Sequence, residues 1–343
     1  MAIVGDTPTT ASAVAAVSDS RTTSDVLLLG AAGSSGRLIA AELAARGLSV
    51  ALAGRRRGPL EDLARALAAD AATVDVRRVD VSDAASLVEA IAGVGVVVST
   101  IGPFARLAGP VIDACLAART PYVDIANEWS AVRDLLDRDE QARRRQVALV
   151  TGAGFGPAAT EALVLRLVGQ PRMVPARVRV AAAAQVSRHG DGVRRTIEES
   201  VAQGAITYRN SQAVRQPLGS GATVLTFGGA HQRMVPAPVG DLEAARRASG
   251  APDVVAYIAD PAGPINGTGS CAWAEVLTPE GSRAVAELVT GQGLRATAAI
   301  AAETTRRILA GAPPGAWTAG GLFGPALVTD ATGAQVTVDG RPA

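Results

Sequence analysis

The 343-residue chain is long enough for two domains, each with a hydrophobic core of its own. Its net charge of +1 gives no electrostatic reason to expect a nucleic acid or an anionic membrane surface as a partner. All 33 basic residues are arginine. The lack of lysine excludes any mechanism that depends on a lysine side chain, such as Schiff-base formation.

The two cysteines, Cys115 and Cys271, are far apart and form neither a disulfide framework nor a metal-binding spacing. We therefore expect a reducing, cytoplasmic compartment. Residues 1–24 contain no basic segment followed by an apolar core, so we expect a mobile leader and not a signal peptide. No apolar run approaches the ~18 residues of a membrane-spanning helix, and no membrane span is expected.

The first predicted element is a buried strand of four apolar residues that starts at Val26 and runs into a glycine-rich turn. Gly30 allows a sharp turn, Gly33 lets a pyrophosphate approach the backbone, and Gly36 lets the next helix pack closely. That helix directs its free N–H groups at the phosphates. With a second strand over 48–53, the pattern predicts a dinucleotide site in preference to a purely structural turn. The predicted contact residues are Gly30, Ala32, Gly33, Ser34, Ser35 and Gly36.

The end of the second strand distinguishes the two nicotinamide cofactors. NAD sites usually place a carboxylate there, whereas NADP sites place arginine near the 2′-phosphate. Here Arg55, Arg56 and Arg57 follow the strand, and the first carboxylate is Glu61, which we interpret as a charge in the first turn of a helix. A solvated charge run is the alternative. The position of the arginines favours NADP(H), bound by Arg55 and Arg56.

The remaining elements of the first half predict a six-stranded parallel sheet with covering helices, a doubly wound α/β fold. The further strands are expected over 73–81, 94–100, 122–126 and 147–151, with helices over 83–91, 108–118 and 130–145. Ligands of such sheets lie at the carboxyl ends of the strands. We therefore place Asp80 and Val81 beside the adenine, and Thr100, Ile101, Gly102 and Phe104 beside the nicotinamide, although Phe104 is also compatible with plain core packing.

The second half changes character. Long alternating segments cover 176–186, 222–227, 254–258 and 272–277, separated by glycine, proline and asparagine turns. This alternation is typical of a mostly antiparallel sheet. Helices are expected from near Pro157 and over 194–203 and 296–309. The second half is therefore predicted to be an α+β domain.

With these motifs laid out, the sequence resembles the saccharopine dehydrogenase-like family of NADP-binding reductases, including relatives described as trans-acting enoyl reductases. GAAGSSG is similar to the family's GATGxTG turn, VSTIGPF to its fourth-strand loop, and YVDIANE to its YVDxxGE segment. GAGFGPAATE occupies the place of GFDxxPSD. SRHGDGVRRTIEESVAQG resembles a serine-glycine stretch and helix, GDLEAARRASGAPDVVAY resembles GDxxTAxxxTGxPNVxxY, and TGQGLRATA resembles TPxGYxxTA.

The resemblance implies a Rossmann domain, an α+β domain whose sheet covers the cofactor, and a late helix that returns to the first domain. It departs from the family pattern at Asn127, where glycine is usual, at Ala159 and Thr160, and at Leu294. These positions border the expected cleft, so the substrate class stays open. The expected divisions are a leader over 1–24, a Rossmann domain over 25–155, a covering domain over 156–290, a returning segment over 291–330 and a tail over 331–343.

Few side chains are candidates for the proton donor of a hydride transfer. Glu128 follows the fifth strand at the ligand edge, with a helix N-terminal charge as the alternative. His189 lies in the turn SRHGDG, with a solvated surface histidine as the alternative. Glu128 and His189 are the two predicted catalytic residues. No nucleophile elbow and no metal-binding cluster is present in the sequence.

These observations predict an NADP(H)-dependent oxidoreductase that reduces a C=N, C=O or activated C=C bond of a small metabolite or biosynthetic intermediate. A small-molecule substrate and a homodimer through the sheet of the C-terminal domain are further expectations. The alternative is a catalytically idle NADP-binding protein whose second domain contacts a partner.

Overall fold

The computed structural model describes residues 24–68, 73–183, 204–227, 229–260 and 269–343. The expected leader, apart from its last residue, lies outside these ranges, as do His189 and the helix predicted over 194–203. No helix within them is both long and apolar enough to cross a membrane.

The elements of both domains are numbered here in chain order. The strands are β1 Val26–Leu29, β2 Val50–Gly54, β3 Val74–Arg78, β4 Val96–Ser99, β5 Tyr122–Asp124, β6 Ala148–Thr151, β7 Arg177–Ala183, β8 Ala205–Arg209, β9 Gln212–Gln216, β10 Thr223–Phe227, β11 Ala230–Pro236, β12 Asp253–Ala259, β13 Ser270–Leu277, β14 Arg283–Thr290, β15 Gly315–Thr318, β16 Gln335–Val338 and β17 Arg341–Pro342. The helices are α1 Ser34–Ala45, α2 Arg57–Leu67, α3 Ala84–Ile91, α4 Phe104–Ala118, α5 Trp129–Leu136, α6 Asp139–Arg145, α7 Phe155–Val168, α8 Gly240–Ser249, α9 Gly293–Leu309, α10 Ala319–Phe323 and α11 Leu327–Thr332.

The first sheet is parallel, and in the described part of the chain its order is β15-β6-β5-β4-β1-β2-β3. The prediction of six strands was wrong by one, because β15 joins at the β6 edge from far along the chain. A four-residue strand has little periodicity of its own, so this pairing could not be predicted from the sequence. The predicted helix over 130–145 was also wrong in detail, since it is divided into α5 and α6.

Helices cover both faces of the first sheet, which explains its uninterrupted apolar strands. Val26 and Leu28 of β1 pack toward α1, α2 and α9, whereas Leu27 and Leu29 pack toward α3, α4 and α5. Both faces are therefore filled by protein. The carboxyl edge of the strands is where this sheet presents its loops to ligands.

The second sheet is mixed and mostly antiparallel, with β7 and β12 as its parallel pair within the described residues. The predicted fold class, a doubly wound domain followed by an α+β domain, is confirmed. One face of this sheet, including Val178 and Leu288, packs on α7 and α8. The other carries Trp273 and Tyr257.

Segments late in the chain contact both sheets. Helix α9 packs on α1 and α7, and Thr297 at its start accepts a hydrogen bond from the backbone N–H of Phe155 at 3.1 Å. Residues 331–343, expected to be a tail, include β16 and β17, and β16 pairs with β14. The two domains are thus held together by chain that returns after the second sheet.

Candidate functional site

The glycine turn after β1 is shaped by close backbone approaches. Gly30 has φ +78°, and a Cβ there would lie 2.6 Å from Thr100 Oγ1. A Cβ on Gly36 would lie 2.3 Å from the Gly30 carbonyl oxygen, so α1 packs against the turn only without a side chain. At Gly33 the nearest protein atom is 3.2 Å away, and the residue is exposed. A side chain on Gly33 would therefore extend into exposed space at the start of α1.

The N-terminus of α1 is open toward the same space. Gly33 is its N-cap, and among the described residues no side chain caps the helix and no acidic residue occupies its first turn. Ser34 is exposed, while Ala32 and Ser35 are half-buried. The free N–H groups and the helix dipole favour an anion here. The arrangement fits the pyrophosphate of a dinucleotide.

The loop after β4 is tied to this turn. The Thr100 hydroxyl donates to the carbonyl oxygens of Leu29 at 2.9 Å and Gly30 at 3.2 Å. Ile101 and Gly102 are half-buried beside it, as expected for a loop at the ligand edge. Phe104 begins α4 and is only 8% exposed, with its ring in the hydrophobic core. Phe104 thus packs in the core, and its contact with the nicotinamide stays a prediction.

The expected adenosine end of the site has exposed cations. Arg55 and Arg56 are exposed, and neither forms an ion pair with a residue that the structure describes, whereas Arg57 pairs with Glu61 at 2.7 Å. Asp80 accepts hydrogen bonds from the Ser82 hydroxyl and backbone N–H, which lower its pKa, and the charge of Arg55 adds to this effect. Val81 is buried beneath this corner. Two arginines are therefore available for a phosphate.

Glu128 lies at the carboxyl edge between the domains and is 5% exposed. It precedes α5, but its Oε1 accepts a hydrogen bond from the backbone N–H of Phe104 at 3.0 Å, at the start of α4. Its backbone also forms a bridge with Val239, just before α8. Glu128 thus contacts the start of α4 through its carboxylate and the second domain through its backbone.

Asp124 is buried at the end of β5, at the carboxyl edge of the first sheet. Its carboxylate accepts hydrogen bonds from the Thr151 and Tyr122 hydroxyls and from the backbone N–H groups of Ala126 and Gly152. Burial raises its pKa, while these donors oppose the rise. Asp124 fixes the ends of β5 and β6 relative to each other.

Asp241 was missed by sequence reasoning, although it lies in the quoted segment GDLEAARRASG. It sits in the first turn of α8, is 2% exposed, and accepts a hydrogen bond from the Thr160 hydroxyl of α7 at 3.1 Å. Burial raises its pKa to about 6. A Cβ on Gly156 would lie 3.1 Å from Asp241 Oδ2, so the glycine permits this approach. Only the tertiary structure brings this carboxyl to the carboxyl edge of the first sheet.

Comparison with known proteins identifies the cofactor domain. Residues 26–150 match the family model described as the saccharopine dehydrogenase NADP binding domain. The first domain is thus similar to the NADP-binding domain of saccharopine dehydrogenases. This confirms the resemblance seen in the sequence and the prediction of NADP(H) as cofactor. The glycine cradle and the exposed arginines of the NADP-binding domain fit that group.

Relatives of known name match part of the chain. A trans-acting enoyl reductase of Mycobacterium tuberculosis is 34% identical over 134 residues, which cover 38% of this chain and 32% of that protein. One of Mycobacterium leprae is 32% identical over 147 residues, which cover 42% of this chain and 35% of that protein. The chain thus spans about a third of the length of the curated relatives it matches.

Solved structures share the fold over nearly the whole chain. A saccharopine dehydrogenase (L-Glu forming) of Saccharomyces cerevisiae has a TM-score of 0.66 and 12% identity, covering 92% of this chain and 99% of that one. An amine dehydrogenase of Mycobacterium smegmatis has a TM-score of 0.51 and 16% identity, covering 87% and 95%. At these identities the likeness shows the two-domain fold.

Proposed function

We propose that the protein is an NADP(H)-dependent oxidoreductase that transfers hydride to a C=N, C=O or activated C=C bond of a small metabolite or biosynthetic intermediate. The observation that carries the proposal is the convergence at one sheet edge of an open helix N-terminus, two exposed arginines and a second domain. Sites for small molecules form preferentially between domains. The names of the relatives, a trans-acting enoyl reductase among them, agree with this class of reaction.

Each part of the edge has a task in this proposal. The N-terminus of α1 binds the pyrophosphate, and Arg55 and Arg56 bind the 2′-phosphate. Thr100 holds the loop after β4 against the turn, so that the nicotinamide has a fixed wall. The bridge between Glu128 and Val239, just before α8, brings the second domain onto the edge. Bound NADPH supplies the hydride, and the protein supplies orientation and the proton.

Glu128 is the proposed proton donor, because it is buried at this edge and hydrogen-bonded to the nicotinamide-side loop. Replacement by glutamine keeps an acceptor for the Phe104 N–H but removes the acid. We expect the Glu128→Gln variant to lose about 10²–10⁴-fold in kcat with unchanged NADPH affinity. Glu140→Gln, at an exposed position on α6, is the matched control. A normal kcat in Glu128→Gln would show that the carboxylate is not the proton donor and only holds the start of α4.

His189 is the second proposed donor and is tested as His189→Asn in the same assay. Normal rates in both variants would move the proton source to water or substrate while leaving the hydride transfer in place.

The experiment that tests the reaction follows NADPH oxidation at 340 nm with a panel of cyclic imines, ketones and enoyl thioesters. We expect turnover with members of one of these classes, and with NADPH far better than NADH. If no acceptor draws hydride from bound NADPH, the reductase proposal fails. The alternative of a catalytically idle NADP-binding protein would then stand.

A homodimer through the second sheet is also proposed. A groove of about 740 Å3 lies on its outer face, lined in part by Trp273, Arg283 and Glu287, and Val224 at its rim is 61% exposed. Arg283 and Glu287 lie on one face of β14 beside this groove, and a two-fold axis would bring the same surface of two chains together. Sedimentation should give about twice the 34.6 kDa chain mass, reduced to one chain in Val224→Glu. A monomer in the unmodified protein would refute this.

A further inference from the structure

Asn127 lies at the carboxyl end of β5, where the family pattern seen in the sequence has glycine. Its side chain is exposed, although the residues on either side of it, Ala126 and Glu128, are buried. Among residues 100–104, 125–128 and 152–154, which follow β4, β5 and β6, it is the one polar side chain with this exposure. Thr100, the other polar candidate, is half-buried and donates its hydroxyl to Leu29 and Gly30.

The amide of Asn127 has a fixed orientation. Its Oδ1 accepts a hydrogen bond from the backbone N–H of Gly240 at 3.1 Å, at the start of α8. Since only an oxygen can accept from that N–H, the assignment of oxygen and nitrogen follows from the network. The Nδ2 group therefore points the other way, with two N–H donors. No residue that the structure describes accepts a hydrogen bond from it.

The Nδ2 group lies beside Gly156 in the first turn of α7. A Cβ on half-buried Gly156 would lie 3.3 Å from Nδ2 and 3.1 Å from Asp241 Oδ2, so the lack of a side chain at this position leaves space next to both groups. A dinucleotide with its pyrophosphate on α1 and its adenosine near Arg55 extends across the sheet toward β4 and β5. Its nicotinamide end then lies at the edge that carries Asn127.

We propose that Asn127 positions the nicotinamide ring of NADP(H) by donating a hydrogen bond from Nδ2 to the carboxamide oxygen. The group is neutral, so it adds orientation without perturbing the charge of the ring. It also links the second domain to the cofactor, because Gly240 of α8 holds the other end of the same amide. The inference deepens the proposed function, since it concerns the cofactor of that reaction.

The test compares ligands that do and do not carry the nicotinamide. NADP+, thio-NADP+ and 2′,5′-ADP are titrated by calorimetry into the full chain and into Asn127→Gly and Asn127→Asp. Asn127→Gly is expected to fold, because the Asn127 carbonyl oxygen also accepts from Gly240 N–H at 3.0 Å. Loss of one neutral hydrogen bond should raise the Kd for NADP+ about 3- to 10-fold. The Kd for 2′,5′-ADP should stay within about twofold.

The sulfur analogue identifies the atom that is recognised. Sulfur is a weaker acceptor than the carboxamide oxygen, so the unmodified chain should bind thio-NADP+ less tightly than NADP+, and Asn127→Gly should show a smaller difference. Asn127→Asp, which replaces the donor by an oxygen, should bind NADP+ no better than Asn127→Gly. Asn210→Gly, in the distant β8–β9 turn, is the matched control and should behave as the unmodified chain.

Unchanged NADP+ binding in Asn127→Gly would overturn the proposal. An equal loss for NADP+ and 2′,5′-ADP would also overturn it, because it would assign the effect to the fold of the site. These are equilibrium measurements, so a failure of the reductase assay would leave their outcome intact.

Discussion

Buried carboxyl groups at the domain junction and in the second domain differ in their ion pairing and in their pKa values. At the junction, the buried carboxyls of Asp124, Glu161 and Asp241 have no arginine partner among the described residues, and burial raises the pKa of each. In the second domain and α9, three carboxylates each bind two arginines, and their pKa values are lowered. These pairs are Glu243 with Arg246 and Arg247, Glu275 with Arg179 and Arg283, and Glu303 with Arg306 and Arg307.

The contrast is sharpest within one helix. Asp241 and Glu243 are two residues apart in α8, yet burial raises the pKa of Asp241 to about 6. Hydrogen bonds from Arg246, Tyr208 and Arg247 outweigh burial at Glu243 and lower its pKa. Arg55 and Arg56, at the ligand edge, are likewise unpaired within the described chain. Away from the carboxyl edge of the first sheet, these carboxylates are thus neutralised by arginines. Beside that edge, the carboxyls and arginines named above have no ion-pair partner among the described residues. Perturbed groups of this kind mark functional sites.

The largest expected effect concerns Glu161, which accepts hydrogen bonds from Thr318 and Gly320 and has its pKa raised by burial to about 7. A carboxyl with a raised native pKa binds more protons when folded. Its contribution to stability is therefore present below the unfolded pKa near 4.5 and falls as pH rises to about 7. The decrease is on the order of 3 kcal/mol.

Urea denaturation of the unmodified chain and Glu161→Gln between pH 4 and pH 8 checks this. The difference in unfolding free energy between the two proteins should decline across that window and level off above it. A pH-independent difference would contradict the uncompensated state of this carboxyl.

The next largest effect is expected for a substitution that blocks the glycine turn. Gly33→Leu should weaken NADPH binding by about 100-fold or more, because the side chain would occupy the pyrophosphate path. Its melting temperature should stay close to that of the unmodified chain. Gly36→Ala is the control for a substitution that acts through the fold. Its Cβ would lie 2.3 Å from the Gly30 carbonyl oxygen and would lower the melting temperature. Retained NADPH affinity in Gly33→Leu would make the turn purely structural.

The unpaired arginines give a smaller effect. Reversing Arg55 and Arg56 to aspartate should raise the Kd for NADPH at least ~10-fold, because charge-assisted contacts to the 2′-phosphate are lost. The Kd for NADH should change little. Arg57→Asp provides a comparison at the adjacent position, where the guanidinium is bound to Glu61. The assignment fails if all these substitutions affect NADPH binding equally.

The smallest effect is expected at Glu303, one of the carboxylates paired with two arginines. Glu303 has its pKa lowered to about 2, chiefly by Arg306. Its stabilisation is present above the unfolded pKa near 4.5 and is lost as pH falls to about 2. Glu303→Gln should cost about 0.5–1 kcal/mol at pH 7. Denaturation at pH 7 and pH 2 checks this, and a cost that persists at pH 2 would argue against an ionic origin.

The sequence predicted what is encoded locally. Short-range patterns in the sequence predict the turn at Gly30, the strand that precedes it and the arginines after β2. The match to the family model and the parallel sheet agree with these predictions. The β8–β9 hairpin was missed because its turn uses Asn210 and Ser211, both at positive φ, and serine is not a usual residue there.

The junction could not be predicted for a different reason. The approach of Asp241 to Thr160 joins residues 81 positions apart, and that of Asn127 to Gly240 joins residues 113 apart. Their spacing in the sequence carries no information about these contacts. A resemblance to GDxxTA marked the α8 segment without giving its place in the fold. Tertiary packing alone brings these groups to the ligand edge.

The central claim is that the carboxyl edge of the first sheet is built for NADP(H). Its most direct test is calorimetric titration of NADPH and NADH into the unmodified chain under identical conditions. The account predicts that NADPH binds at least ~10-fold more tightly, through the two unpaired arginines. Equal affinities for the two cofactors would contradict it.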